Sequence, residues 1–151
     1  MKYWLFKTEP SGYGLEHFER DGVTPWSGVR SFQARNNMTE MKLKDQGLFY
    51  HSSIAEPAAV AICEVAREAY PDFTAQDKSS EYFDRKSSPS NPLWYMVDVK
   101  LIRKLPRPVK LAEMRNEPRL TGMALLRRGQ RLSVQPVMPH EWKIILEMAQ
   151  V

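Results

Sequence analysis

Leu93-Trp94-Tyr95-Met96-Val97-Asp98-Val99-Lys100-Leu101-Ile102-Arg103 is the stretch from which the fold reads outward. Successive side chains on a strand point to opposite faces. Tyr95, Val97, Val99 and Leu101 therefore share one side, and Trp94, Met96, Asp98 and Lys100 the other. The abundance of β-branched and aromatic residues strengthens the strand assignment. Ala58–Val65 is apolar at nearly every position, which suits a strand buried on both faces. Tyr3–Lys7 and Leu48–Ser53 are shorter strands, and Arg131–Val134 is a brief one stopped by Pro136. Leu105-Pro106-Arg107-Pro108 is expected to break the first-named strand.

Helical signals lie between these runs. A short helix is expected at Gly14–Asp21, with Leu15 and Phe18 on one face and Gly22 as its stop. Residues 33–42 place Ala34, Met38 and Met41 on an inner side, and residues 111–115 form a short helix ended before Pro118. In residues 120–128, Met123, Leu125 and Leu126 favour helix. Pro139 opens a last amphipathic helix to about Ala149. Residues 72–92 are a long polar passage, and a loop of that length is functional or loosely ordered. Strands and short helices follow no regular βαβ alternation and no repeat. The expected class is α+β, with a strongly bent mixed sheet or pseudo-barrel and short helices around it.

A chain of 151 residues with 42% hydrophobic and 26% charged content fits one globular domain, residues 1–151. Cys63 is the only cysteine, so no internal disulfide forms and a reducing compartment is expected: cytoplasmic, or nuclear in a eukaryote. The apolar start, Tyr3–Phe6, is too short for a signal or a membrane span. His17, His51 and His140 are scattered without ligand spacing, so no metal is expected. No glycine-rich phosphate loop or dinucleotide fingerprint is present, and no cofactor is expected. Net charge is +4, but residues 100–131 carry ten Lys/Arg against Glu113 and Glu117, a net +8 that leaves −4 on the remainder. A basic half favours an anionic partner, nucleic acid first.

Chemistry concentrates in Pro25-Trp26-Ser27-Gly28-Val29-Arg30-Ser31-Phe32-Gln33-Ala34-Arg35-Asn36-Asn37-Met38. An indole stacks on a flat ligand, a glycine lets backbone approach it, asparagine matches the edge of a base, and arginine forks hold phosphate. Taken alone, the stretch is better read as a core tryptophan beside an ordinary helix start. Elsewhere Trp26, Tyr50, Tyr82 and Trp94 lie beside segments rich in Asn, Ser and Pro. Stacking of a base on such rings is worth about 1–3 kcal/mol each. Asn36, Asn37 and Ser53 are then candidates for hydrogen bonds to the base. Trp4 and Trp142 are expected in the core, as is Cys63.

Six blocks in order carry a family resemblance. They are Tyr3-Trp-Leu-Phe-Lys-Thr-Glu-Pro10, Trp26-Ser-Gly-Val-Arg30 with Gln33-Ala-Arg-Asn36, Phe49-Tyr-His-Ser52, Glu68-Ala-Tyr-Pro-Asp72, Trp94 with Met96-Val-Asp-Val99, and Arg131-Leu-Ser-Val-Gln-Pro136. Together they resemble the EVE domain family across about residues 3 to 149. The resemblance implies a PUA-like fold, kinship with the YTH domains that cage a methylated base, and a non-catalytic reader of modified bases in DNA or RNA. The family usually has Asn where Ser31 stands, a shorter hydrogen-bonding group that bears on base preference.

By that resemblance Trp26 is the first wall of an aromatic cage, and Trp94 or Pro92 the second. Ser27, Gly28, Val29, Arg30, Asn36, Asn37, Tyr50, Ser52 and Ser53 are the remaining ligand-binding candidates. Arg103, Lys104, Arg107, Arg127, Arg128 and Arg131 are the candidates for gripping the nucleic-acid backbone. The expected partner is nucleic acid carrying a modified base, bound by a monomer without a membrane. Two rivals stand beside this reading. One is an enzyme on nucleic acid, a nuclease or base-modifying activity, using His51, Asp98 or Glu9. The other is a protein-interaction module using the basic face.

Overall fold

In the computed structural model, which describes residues 1–151, β1 (Tyr3–Thr8) lies between β3 (Gln46–His51) and β6 (Val134–Val137). With β2 (Val23–Pro25), β4 (Ala58–Pro71) and β5 (Tyr95–Lys110), these make one mixed sheet in the order β2-β5-β4-β3-β1-β6. Only the β1–β3 pair is parallel. A parallel pair needs a long crossover. Here the crossover carries α1 (Pro10–Tyr13), α2 (Leu15–Asp21), β2 and α3 (Phe32–Glu40). The chain adds α4 (Leu111–Arg115), α5 (Pro139–Met148) and 3-10 turns at Phe73–Gln76, Pro118–Leu120 and Ala124–Leu126.

The class is α+β, as expected, and the sheet does not close: β2 and β6 are its free edges. Its bend comes from β4 and β5, 14 and 16 residues long, whose pairing shifts register at four places. Each shift adds local kink and twist. The largest explains a correction. Pro106 and Pro108 do not end β5, because Ala59 pairs with Val109 and Ala61 with Lys104. The prolines stand where β4 skips past them, so no ladder hydrogen bond is demanded of them. Pro136 likewise sits inside β6 rather than stopping it, on an edge strand where the missing N–H is tolerated.

Both faces of the sheet are covered. On β1, Leu5 belongs to one apolar cluster with Leu48, Tyr50, Met114, Trp142 and Ile145. Trp4 and Phe6 point the other way, into a second cluster with Phe18, Trp26, Met38 and Phe49. Two buried faces account for the unbroken apolar runs. Trp4 and Trp142 are core, as expected: the Trp4 Nε1–H donates to Asp45 at 3.1 Å, and Trp142 stacks on Tyr3 at 4.5 Å. Residues 120–128 hold the end of one 3-10 turn and the whole of a second rather than a helix, since Gly122 at φ +91 interrupts the run. α1 and β2, four and three residues long, are too short to leave a periodic signal. No helix is long and apolar enough to cross a membrane.

Gly47 on β3 has no room beside it for a side chain. A Cβ there would stand 2.6 Å from a ring carbon of Phe6 and 3.2 Å from Cys63 Sγ. Both neighbours are fully buried. Overpacking at such a site costs about 1–3 kcal/mol. Gly47→Ala is therefore expected to lower the urea midpoint by that amount of stability without changing the slope of the transition.

Candidate functional site

A cleft of about 820 Å³ opens at the end of β1. Its sides are the turn Thr8–Tyr13, the segment Thr24–Ser31, the loop tip Glu81-Tyr82, and Arg131 with Ser133. β2 delivers the chain to it: the Trp26 N–H donates to the Val97 carbonyl at 2.8 Å, continuing the β2–β5 ladder. Trp26 forms the floor. The residue is 8% exposed, with Phe6, Phe49 and Tyr13 meeting its ring at steep angles, 5.2, 6.0 and 6.5 Å between centroids. The indole is thus packed on its neighbours, and little of it faces outward. Yet its Nε1–H finds no acceptor in the protein and is not occluded. The cleft meets an aromatic floor with one free donor.

The wall is built around Asp72, whose side chain is completely buried. Its Oδ2 accepts from the Gly28 N–H at 2.8 Å and from Arg30 Nη1 at 3.1 Å. Its Oδ1 accepts from the N–H and hydroxyl of Thr74, at 2.8 and 2.6 Å. A buried carboxylate is tolerated when its lone pairs are matched in this way. Arg30 then reaches across to the Tyr82 carbonyl with Nη2 at 2.7 Å and Nε at 3.1 Å. Val29 O and Thr74 Oγ1 take its last protons. All five guanidinium donors are used, so Arg30 is a brace and not a free phosphate clamp. Tyr82 closes over Gly28, where a Cβ would lie 2.9 Å from its ring. With φ at +81, the position also favours glycine conformationally.

The predicted residues divide accordingly. Trp26, Ser27, Gly28, Val29, Arg30 and Arg131 line the cleft. Ser52 and Ser53 line a smaller adjoining hollow that shares Lys7, Thr8, Glu9, Arg131 and Ser133 with it. The others stand apart, for physical reasons. Tyr50 is sealed in the first core cluster, because its strand position points it to the opposite face. Asn37 on α3 donates to the Val134 carbonyl at 2.9 Å, tying α3 to β6. Asn36 is exposed and accepts from its neighbour Arg35. Trp94 is held by Phe32 stacked at 4.8 Å and by Asp84, which accepts from its Nε1–H at 2.8 Å. Neither Trp94 nor Pro92 borders the cleft.

The basic residues also differ. Arg107 is taken by Glu113 and the Met148 carbonyl. Arg103, Lys104, Arg127, Arg128 and Arg131 are exposed and make no ion pair. Three groups that sequence reasoning did not place here are Lys7, Tyr13 and Asp72. The polar turn Thr8-Glu9-Pro10-Ser11-Gly12 at a strand's end was the available signal for the first two. Asp72 acts on residues 42 and 44 positions away, and nothing local marks it.

Groups that could serve catalysis are engaged separately. His51 Nε2 accepts from the Leu15 N–H at 3.1 Å, and Ser52 donates to the Thr8 carbonyl at 3.2 Å. Asp98 accepts from the Tyr70 hydroxyl, and Glu9 from Ser53 at 3.4 Å. Burial pushes the Cys63 thiol far up, the opposite of an activated nucleophile.

The EVE domain model matches residues 2–148. The chain belongs to the EVE domain family. Its sequence is 36% identical to mouse thymocyte nuclear protein 1 over 165 residues, covering 97% of this chain and 73% of that protein. Among solved structures, a hypothetical protein from Leishmania major superposes with a TM-score of 0.94 at 43% identity, covering 99% of this EVE domain and 95% of that chain. Human THYN1 protein, in complex with 5-methylcytosine-containing DNA, superposes with a TM-score of 0.91 at 34% identity, over 100% of this chain and 99% of that one. The expected likeness to YTH domains holds at the level of fold, with a TM-score of 0.55 at 15% identity to that of Zygosaccharomyces rouxii MRB1.

Two outcomes follow for this EVE domain. Removing one partner of a buried charge pair costs about 3–5 kcal/mol. Asp72→Asn is expected to lose stability of that order, read as a fall in the denaturation midpoint. His51 accepts a hydrogen bond as a neutral ring, and burial lowers its pKa from 6.5. Its contribution to stability is therefore full above pH 6.5 and is lost as pH falls through the lower folded value. Thermal melts from pH 8 to about 5 should show a destabilisation that His51→Gln flattens.

Proposed function

We propose that this EVE domain is a non-catalytic reader that takes a modified, methylated nucleobase out of DNA or RNA into the cleft above Trp26. It acts as a monomer in whichever compartment holds that nucleic acid, cytoplasm or nucleus. The observation that carries the reading is the floor of the cleft: an aromatic ring with an unsatisfied Nε1–H, walled by a rigid backbone. A base needs a flat apolar contact and a few fixed polar groups, and a cleft of about 820 Å³ has room for it with its sugar. The human THYN1 complex supports the choice of ligand. The separate engagement of His51, Asp98 and Glu9 supports binding over catalysis.

Flipping a base out of its stack costs a few kcal/mol. Contact with the floor and walls offsets part of that. A methyl group adds about 1 kcal/mol of apolar burial, so selectivity of about fivefold is the expectation from burial alone. Trp26→Ala would empty the core, so Trp26→Phe is the informative variant: it keeps an aromatic ring and removes the donor. Wild type should bind a 5-methylcytosine oligonucleotide about fivefold more tightly than the plain one. Trp26→Phe should weaken binding by the worth of one hydrogen bond, about 2- to 10-fold. Identical affinities for both oligonucleotides and both proteins would refute the reading.

A further inference from the structure

The cleft and its smaller neighbour share one wall, and that wall contains two cations with nothing to pair with. Lys7 lines both hollows, as does Arg131. Neither makes an ion pair, and the nitrogens of neither side chain make a hydrogen bond within the protein. Other cations near carboxylates are satisfied: Arg30 by Asp72, Arg107 by Glu113, Arg119 by Glu117 and Glu147. Lys7 is also partly withdrawn from water, and that desolvation lowers its pKa. A half-buried ammonium without a partner is held at an energetic disadvantage that a bound anion removes. The Ser133 hydroxyl stands on the same wall with no partner in the protein, a donor of the kind that completes an oxyanion site, whereas the Ser52 and Ser53 hydroxyls already donate to Thr8 and Glu9.

The surroundings point the same way. Arg127 and Arg128 are exposed and unpaired on the turn that leads into Arg131. With Arg131 they place three exposed, unpaired cations within five residues of chain. Two carboxylates oppose them: Glu9 lines both hollows, with Oε1 turned toward the Ser53 hydroxyl at 3.4 Å, and Glu81 lines the larger one. Because Lys7 is the residue before Thr8 at the end of β1, its position is fixed by the ladder, where its N–H donates to the Ser133 carbonyl at 2.7 Å. The same bond ties the Arg131–Ser133 segment to β1, so both cations ride on one rigid seam.

We propose that Lys7 and Arg131 form a phosphate site for the nucleic-acid backbone, at the corner joining the two hollows. It holds the phosphodiester next to the nucleotide whose base enters above Trp26, and the strand leaves along Arg128 and Arg127. The proposal rests on the base-reading function and adds to it the point at which the backbone is gripped.

The test uses a duplex oligonucleotide carrying one 5-methylcytosine, its plain counterpart, and the full chain. Binding is measured over a range of salt for wild type, Lys7→Gln, Arg131→Gln, Glu9→Gln and Lys143→Gln. Each neutralised phosphate contributes about −0.9 to the slope of log affinity against log salt for duplex DNA. Lys7→Gln and Arg131→Gln should each weaken binding about tenfold and together make the slope shallower by about one, while preserving the ratio of methylated to plain affinity. Glu9→Gln should strengthen binding, since it removes one opposing charge. Lys143→Gln, on α5 and outside both hollows, should change little. Arg131 is exposed, so its replacement leaves the fold intact, and thermal melts check that Lys7→Gln folds. A wild type that prefers the methylated duplex, with unchanged affinity and slope in Lys7→Gln and Arg131→Gln, overturns the phosphate site and leaves the reader standing. A wild type that binds without preference, yet loses affinity in both variants, supports the phosphate site and refutes the reader. No binding by wild type overturns both.

Discussion

A single buried carboxylate holds the cleft open. Asp72 gathers a backbone N–H from one segment, a hydroxyl and N–H from another, and a guanidinium that spans to a third. Without it, Gly28, Arg30 and Tyr82 would have no common anchor. A charge placed in the interior is tolerated only when every lone pair is matched, and here the matching donors are also the parts of the wall. Stability and shape of the site are therefore one property. The arrangement also decides which arginine is left over for a ligand: Arg30 is exhausted by the brace, and Arg131 is not.

The floor obeys a different rule. Trp26 belongs to the core by packing and to the cleft by one edge. Three aromatic rings press on it at steep angles, the geometry that suits the charge distribution of π-systems. A ring fixed in that way does not swing when a ligand arrives. Recognition by a fixed floor and a braced wall wastes little conformational entropy on binding.

Much of the fold was legible because the sheet is buried on both sides, which stamps continuous apolar runs such as Ala58–Val65 on the chain. The family resemblance added the bent sheet. What escaped was decided by partners distant in sequence. β5 passes through Pro106 and Pro108 only because β4 skips a register there, and no local pattern carries that information. Of the site, the Trp26–Arg30 run was legible as chemistry but not as role: the arginine looks like a clamp until Asp72 is seen behind it. Trp94 and Tyr50 misled for a plain reason. An aromatic beside polar residues looks the same in sequence whether it faces solvent or a neighbouring ring.

The parallel pairing of β1 with β3 sets the order in which the molecule can become competent. The crossover between them holds Thr24–Ser31, and the far wall arrives with Arg131 and Ser133, joined to β1 by β6. Contacts this far apart along the chain form late and slowly. A polypeptide still emerging from the ribosome, with β6 and the segment before it unmade, has a floor and three sides but not the fourth. The cleft is whole only once β6 has joined β1, so its shape is among the last properties the fold acquires.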